Sequence, residues 1–302
     1  MPFFVPEGWD RYHRQIKTSI ETLIRQNILS GISPTDLVSW YGNFKTSEER
    51  YLAAHLLDSM VFRSEEMLKS TCRHILVKIL PDLLPELDCQ SICELRRFLS
   101  RRTYQPRVVF STVPADKPGK SGDQLLRLFM RETGTNNDYK RHAHNWTNYP
   151  NSVVAMVLID DMVGTGTQFS NFYKKHQLSS CPFRVIYIPL FAHSDGIEAI
   201  EKNCPSVELY PVEILGKDHD FFREDKKSPG FGIWAKDQKN TVGDVRSFYL
   251  SLLRDRGISI GDPFGYGDLG LTVYTHMSSP NNSLHSFYTN KNMEQWVPLL
   301  KR

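Results

Sequence analysis

Seven consecutive apolar residues, Val153 to Ile159, run directly into Asp160 and Asp161 and then into a stretch of small residues, Gly164-Thr165-Gly166-Thr167. An unbroken apolar run of this length predicts a parallel strand buried on both faces, since helices covering both sides of a sheet remove any polar alternation. The small residues predict a tight loop, and the segment after them a helix. Both carboxylates then emerge at the carboxyl end of the strand, the edge where open α/β sheets bind ligands. Strand-like segments at 107–113, 184–190 and 207–213, with a helical pattern at 194–203, complete the expected fold class: an α/β, doubly wound parallel sheet over residues 105–215.

Upstream the period changes. Ile16, Ile20, Leu23, Ile24 and Ile28 share one helical face, and Leu68, Cys72, Ile75, Leu76 and Ile79 another, so residues 9 to 103 read as helices. Ser33-Pro34 marks one helix start, and Thr46-Ser47-Glu48-Glu49 reads as a capping box at the next. Trp40, Tyr41 and Phe44 are read as core anchors. Downstream lie a helix near 241–255, a Gly/Asp-rich stretch and a strand at 271–277. Three regions are expected: a helical N-terminal domain at 1–104, the sheet at 105–215, and an extension at 216–302 packed on it.

Two adjacent carboxylates can accept both hydroxyls of a vicinal diol, directly or through Mg²⁺, while loop amides and hydroxyls take a phosphate nearby. A phosphorylated ribose meets both demands. Solvated residues at a strand end, or the acidic pair of another doubly wound fold such as a phosphoacceptor domain, share parts of the pattern. The order of strand, acids and Gly/Thr loop favours the ribose phosphate.

The segment VLIDDMVGTGTQF resembles the ribose-phosphate signature of type I phosphoribosyltransferases. The resemblance implies that Asp160 and Asp161 hold the ribose hydroxyls and Mg²⁺, and that Gly164, Thr165, Gly166 and Thr167 wrap the 5′-phosphate. Gln168 stands where that signature usually carries Thr or Ser. In this family the loop after the first core strand binds pyrophosphate, which assigns that role to Lys120, Ser121 and Gly122; an ordinary helix-starting turn is the other reading. The polar interval 133–150 corresponds to a mobile catalytic loop, which makes Lys140 and Arg141, with His142 and His144, candidates for meeting the leaving group. A solvated linker reads equally well there. His193 and Asp195 lie at another carboxyl strand end, with Ser194 and Asp195 expected to cap the following helix.

With 302 residues, 40% hydrophobic and 24% charged, the composition is that of an ordinary globular protein. A net charge of +3 does not by itself imply nucleic-acid binding. Arg96, Arg97, Arg101, Arg102 and Arg107 form a local basic group, read either as a contact for nucleic acid or an acidic partner, or as a solvated helix end. Five cysteines without an even, closely spaced framework are expected to be reduced. No apolar run approaches a membrane span and no signal-peptide pattern opens the chain, so a cytoplasmic location is expected.

The whole layout, including GYGDLGLTVYTHMSSPNNSL and WVPLLKR, is similar to phosphoribosyltransferase-like effectors of bacterial antiphage defence, some encoded beside retron reverse transcriptases. That resemblance implies a reverse transcriptase and its structured RNA/DNA as partners. Asn281, Asn282 and His285 are read as pocket residues or as a polar turn. Two function classes follow: an enzyme acting on the N-glycosidic bond of a 5-phosphoribosyl substrate, or a non-catalytic nucleotide-sensing or partner-binding module.

Overall fold

The computed structural model describes residues 3–113, 121–223, 232–258, 261–289 and 295–300. In chain order its principal elements are α1 (Trp9–Arg25), α2 (Pro34–Tyr41), α3 (Ser47–Asp58), β1 (Val61–Arg63), α4 (Glu65–His74), α5 (Leu80–Leu83), α6 (Ile92–Ser100), β2 (Val108–Ser111), α7 (Ser121–Thr133), β3 (Ala155–Val163), α8 (Thr167–Lys175), β4 (Arg184–His193), α9 (Ser194–Asn203), β5 (Val207–Leu209), β6 (Glu213–Leu215), α10 (Val242–Asp255) and β7 (Val273–Thr275).

The chain divides into two compact units, residues 66–215 and residues 1–65 with 216–302. This differs from the three expected regions. Residues 66–104 group with the sheet because several polar contacts fasten them to it. Arg184 at the start of β4 grips Glu208 through Nε and Nη2 (2.7 and 2.6 Å) and also donates to Glu86 (2.7 Å) and the Leu83 carbonyl (2.8 Å). Tyr139 donates to the Phe98 carbonyl, and Arg73 pairs with Glu132 of α7.

In this unit β2, β3, β4 and β5 lie side by side, all parallel, and β6 pairs with the far end of β4. The strand expected over 207–213 is interrupted: Pro211 has no N–H for the ladder, yet Tyr210 and Val212 on either side still donate to β4 carbonyls. Side chains alternate across the pleat. Met156, Leu158 and Val109 join α8 and α9 in one core cluster, while Phe110 meets Phe129 of α7 on the opposite face. The helices therefore cover both faces, as the apolar runs predict.

The other unit shows what the helical reading of 9–103 missed. Val61–Arg63 is a strand, paired in parallel with β7 of the extension. Three residues are too few for a periodic signal. One continuous core then runs from Phe3, Ile16 and Trp40 to Tyr249, Phe287 and Trp296. Trp40 and Trp296 both donate their indole N–H to the Ser286 carbonyl (2.9 and 3.0 Å), and Asn43 exchanges two hydrogen bonds with Val297. The capping box at Thr46 is half made. Thr46 Oγ1 accepts from the Glu49 N–H, but the Glu49 carboxylate turns to the Lys45 N–H and to Arg256 Nη2 (2.7 Å). The complete box is at Ser33, with Asp36. Asn282 Nδ2 reaches back sixteen residues to the Tyr266 carbonyl at 2.8 Å. All five cysteines are free thiols.

Candidate functional site

The apolar strand does not stop at Ile159; β3 continues through the acidic pair to Val163, with Asp160 opposite Pro189 of β4. Consecutive strand residues face opposite sides, so the two carboxylates differ sharply in environment. Asp160 is 6% exposed, whereas Asp161 is half-buried. Asp160 Oδ1 accepts the Asp161 N–H at 3.0 Å, and Oδ2 accepts the Tyr187 hydroxyl at 3.2 Å. Burial, and secondly the neighbouring Asp161 charge, push the Asp160 carboxyl well above the usual carboxylate range. Tyr187 is equally enclosed, its ring stacked on Phe169 of α8 at 4.2 Å, and burial with the nearby Asp160 charge keeps its hydroxyl protonated.

The start of α7 closes over this carboxyl. A Cβ built on Gly122 would overlap both Asp160 Oδ1 and Thr112 Oγ1, so only glycine lets the helix come this near. Thr112 Oγ1 is itself buried with no hydrogen-bond partner in the described structure.

The Gly/Thr loop follows β3. Gly166, at φ 73°, caps α8, and a Cβ there would sit 2.9 Å from the Gly196 carbonyl oxygen of α9. Gly196 in turn lies against Gly164, where any side chain would strike the Gly164 carbonyl. These glycines are required by a backbone-to-backbone approach of two helix starts. Thr165 and Thr167 share a hydroxyl–hydroxyl hydrogen bond of 3.0 Å at the loop's open side. The first-turn amides of α8, which have no intrahelical acceptor, and the positive end of its dipole lie beside them.

The interval 133–150 is not an unpatterned loop. It contains two short helical turns, Asn137–Tyr139 and Ala143–Asn148, and Lys140 lies parallel to Phe110 along the outside of β2. The Arg141 N–H donates to the Phe110 carbonyl (3.0 Å) and the Ala143 N–H to Ser111 Oγ (2.9 Å). Buried backbone needs such partners, and Tyr139 and Ala143 are buried. Lys140 and Arg141 are thus held one residue before β2 ends, at the level of the carboxyl edge. His142 and His144 are exposed, and His144 faces His176 at the end of α8, with ring centres 5.8 Å apart.

The PRTase-CE family matches residues 37–302, most of the sequence.

The chain belongs to the PRTase-CE family.

It is a phosphoribosyltransferase-like protein with a C-terminal extension. Among solved structures it is similar to a xanthine-guanine-hypoxanthine phosphoribosyltransferase of Helicobacter pylori, at 9% identity over 52% of this chain and 86% of that one, with a TM-score of 0.31. It is also similar to the AQ2163 protein of Aquifex aeolicus, at 13% identity over 64% of this chain and 87% of that one, TM-score 0.29. No curated protein matches by sequence.

In this PRTase-CE protein the carboxyl edge gathers Asp160, Asp161, Ser121, Gly122 and the 164–167 loop; Lys120 lies outside the described residues. His193 is fully buried and its Nδ1 accepts the Asp195 N–H at 3.2 Å, so this imidazole caps α9. The Ser194 hydroxyl, expected with Asp195 to cap this helix, has no hydrogen-bond partner among the described residues. Arg96, Arg97, Arg101 and Arg102 are exposed on α6 and just beyond it, while Arg107 is drawn back onto the Glu86 carbonyl. Tyr187, Phe169 and Thr112 were not foreseen as neighbours of the site. A lone hydroxyl in the otherwise apolar run at 185–190 is the signal that could have flagged Tyr187.

Among the described residues no group of three or more His, Cys, Asp or Glu side chains converges as a metal cage. Mg²⁺ commonly takes only one or two carboxylates and completes its shell with water and substrate phosphate. The like-charge coupling that raises Asp160 is what a cation beside the pair would relieve, so the donor set fits Mg²⁺ held jointly with a substrate.

Proposed function

We propose that this protein makes or breaks the N-glycosidic bond at the anomeric carbon of a 5-phosphoribosyl substrate, either a nucleotide or phosphoribosyl pyrophosphate. The observation that carries the reading is the meeting, at one sheet edge, of the Asp160–Asp161 pair with the glycine-tight starts of α7 and α8. Asp161, the more accessible carboxylate, accepts the ribose hydroxyls. The Thr165 and Thr167 hydroxyls and the first amides of α8 receive the 5′-phosphate. Ser121 and Gly122 at the start of α7, with Lys140 and Arg141 along β2, face the leaving group as negative charge develops on it. Asp160, buried on Tyr187, fixes the height of the Asp161 backbone and carries a proton more readily than an ordinary carboxyl. Asp160 and Asp161 would hold Mg²⁺ together with the substrate, and the ion would supply charge neutralisation for phosphate oxygens.

The test is incubation of the folded protein with ribonucleotides or phosphoribosyl pyrophosphate and Mg²⁺, reading released base or pyrophosphate. Turnover by the native protein and its loss in Asp161→Asn are expected. Unchanged melting temperature across millimolar ribose-phosphate ligands, where binding to the folded form must raise it, overturns the reading. A raised melting temperature without turnover selects the second reading, a nucleotide-sensing module. Gln168 at the signature's usual Thr or Ser position, exposed on the first turn of α8, favours that alternative.

The wider role we propose is that of an antiphage effector restrained by a retron-type reverse transcriptase with its structured RNA/DNA. It rests on the resemblance in layout. Size-exclusion of the chain co-expressed with its genomic neighbours tests it, and elution alone counts against it.

A further inference from the structure

A cleft lies at the ends of α6 and α7, whereas it is the start of α7 that meets Asp160. Its volume is about 550 Å³, and it is lined by Arg102, Tyr104, Arg131, Asn136, Asn137 and Asp138. Three features set its chemistry. Its cations are free to act: Arg102 has no ion-pair partner among the described residues, and Arg131, its side chain 65% exposed, touches Glu132 only at 3.7 Å. Its two arginines outnumber its one lining acid, Asp138, whose Oδ2 accepts the Thr103 N–H at 2.9 Å, and the adjacent Glu132 is engaged by Arg73 at 2.7 Å. The Asp138 N–H is also spoken for, by Asn136 Oδ1 at 3.0 Å.

The third feature is Tyr104, which is 98% exposed, so that a whole aromatic face stands in solvent on a cleft that Arg102 and Arg131 also line. Large aromatic rings normally bury their faces, and an exposed one flanked by cations suits a planar, anionic partner. The basic surface is also longer than the cleft. Arg97 and Arg101, both exposed, continue it along the end of α6. One nucleotide would use one stacking face and one or two cations; a row of arginines with an aromatic platform matches a flexible strand carrying a phosphate at each step.

We infer that the cleft framed by Arg102, Tyr104 and Arg131 binds single-stranded nucleic acid, with a base stacked on Tyr104 and backbone phosphates on the arginines. The cleft asparagines supply amide donors and acceptors for a base edge or a sugar hydroxyl. The inference does not depend on phosphoribosyl chemistry at the carboxyl edge.

The experiment is fluorescence anisotropy of the full chain with labelled oligo-uridine and oligo-thymidine, about twenty nucleotides long, against a duplex of equal length. Single strands are expected to bind more tightly than duplex, and to weaken as salt rises because phosphate contacts release counterions. Tyr104→Ala is expected to weaken binding by about fivefold to a hundredfold, the range for one stacked base. Arg102→Glu with Arg131→Glu is expected to weaken it by tenfold or more, at roughly the scale of two lost phosphate contacts, and to flatten the salt dependence. All three residues are exposed, so unchanged melting temperatures verify that the variants fold. Tighter binding to duplex, affinity untouched by the substitutions, or complete competition by a mononucleotide each overturns the proposal, as does absence of binding.

Discussion

Replacing Tyr187 with Phe removes one oxygen from a sealed position and leaves the ring, and so the 4.2 Å stack on Phe169, in place. What is lost is the 3.2 Å hydrogen bond to Asp160 Oδ2, on a carboxyl that is 6% exposed. That bond favours the ionised carboxylate. When Asp160 is protonated the loss is that of an ordinary buried hydrogen bond, about 1 kcal/mol; when it is ionised the loss rises to about 1.5–3 kcal/mol, because bonds to charged groups are stronger. The folded-state pKa of Asp160, already raised by burial and by Asp161, moves higher still in the variant. Both proteins share the same unfolded value, near 3.9. The stability deficit is therefore flat at acid pH, grows as pH rises past the wild-type folded pKa, and levels off above the variant's. Urea unfolding from about pH 4 to pH 9, read as paired free energies, measures this directly. A deficit that is independent of pH, or larger at acid pH, refutes the claim that Tyr187 supports an ionised Asp160.

Other expectations follow from the same contacts. Asp161→Asn removes the neighbouring charge that helps raise Asp160 and so lowers its folded pKa, leaving burial in place; this variant gains stability as pH rises past its own folded pKa, levels off above the wild-type value at about 1 kcal/mol at the water-exposed limit, and gains nothing at acid pH where both carboxyls are protonated. Gly196→Ala drives a methyl into the Gly164 carbonyl and costs about 1–3 kcal/mol, seen as a lower melting temperature. Arg184→Gln breaks the paired grip on Glu208 and the bond to Glu86, with a loss of about 1–3 kcal/mol, and Arg184→Lys recovers little of it because an ammonium cannot span both carboxylate oxygens. A urea midpoint unchanged in either variant contradicts it.

How much of this was legible in the sequence depends on the range of the interaction. Local patterns were sufficient for β2, β3 and β4, the helix phases at Ile16, Ile20 and Ile24, and the order of acids and small residues after Ile159, because burial on two faces or on one stripe writes itself into consecutive residues. They could not separate Asp160 from Asp161. Identical neighbours in sequence acquire different exposure only when β3 continues past them and α7 and Tyr187 arrive from 38 and 27 positions away. The same holds for β1. Three residues carry no period, and Val61–Arg63 becomes a strand only because Val273–Thr275 offers it a ladder. Likewise Gly164 and Gly166 read as part of a phosphate loop in sequence, yet what demands glycine at 166, and at 196 in the next helix, is the close approach of two helix starts. Sequence determined which segments could be strand or helix; tertiary contact decided which carboxylate is enclosed, which loop is fastened, and that the first 65 residues share a core with the last 87. Hydrogen bonds and close packing between distant segments have no counterpart in the spacing of neighbours.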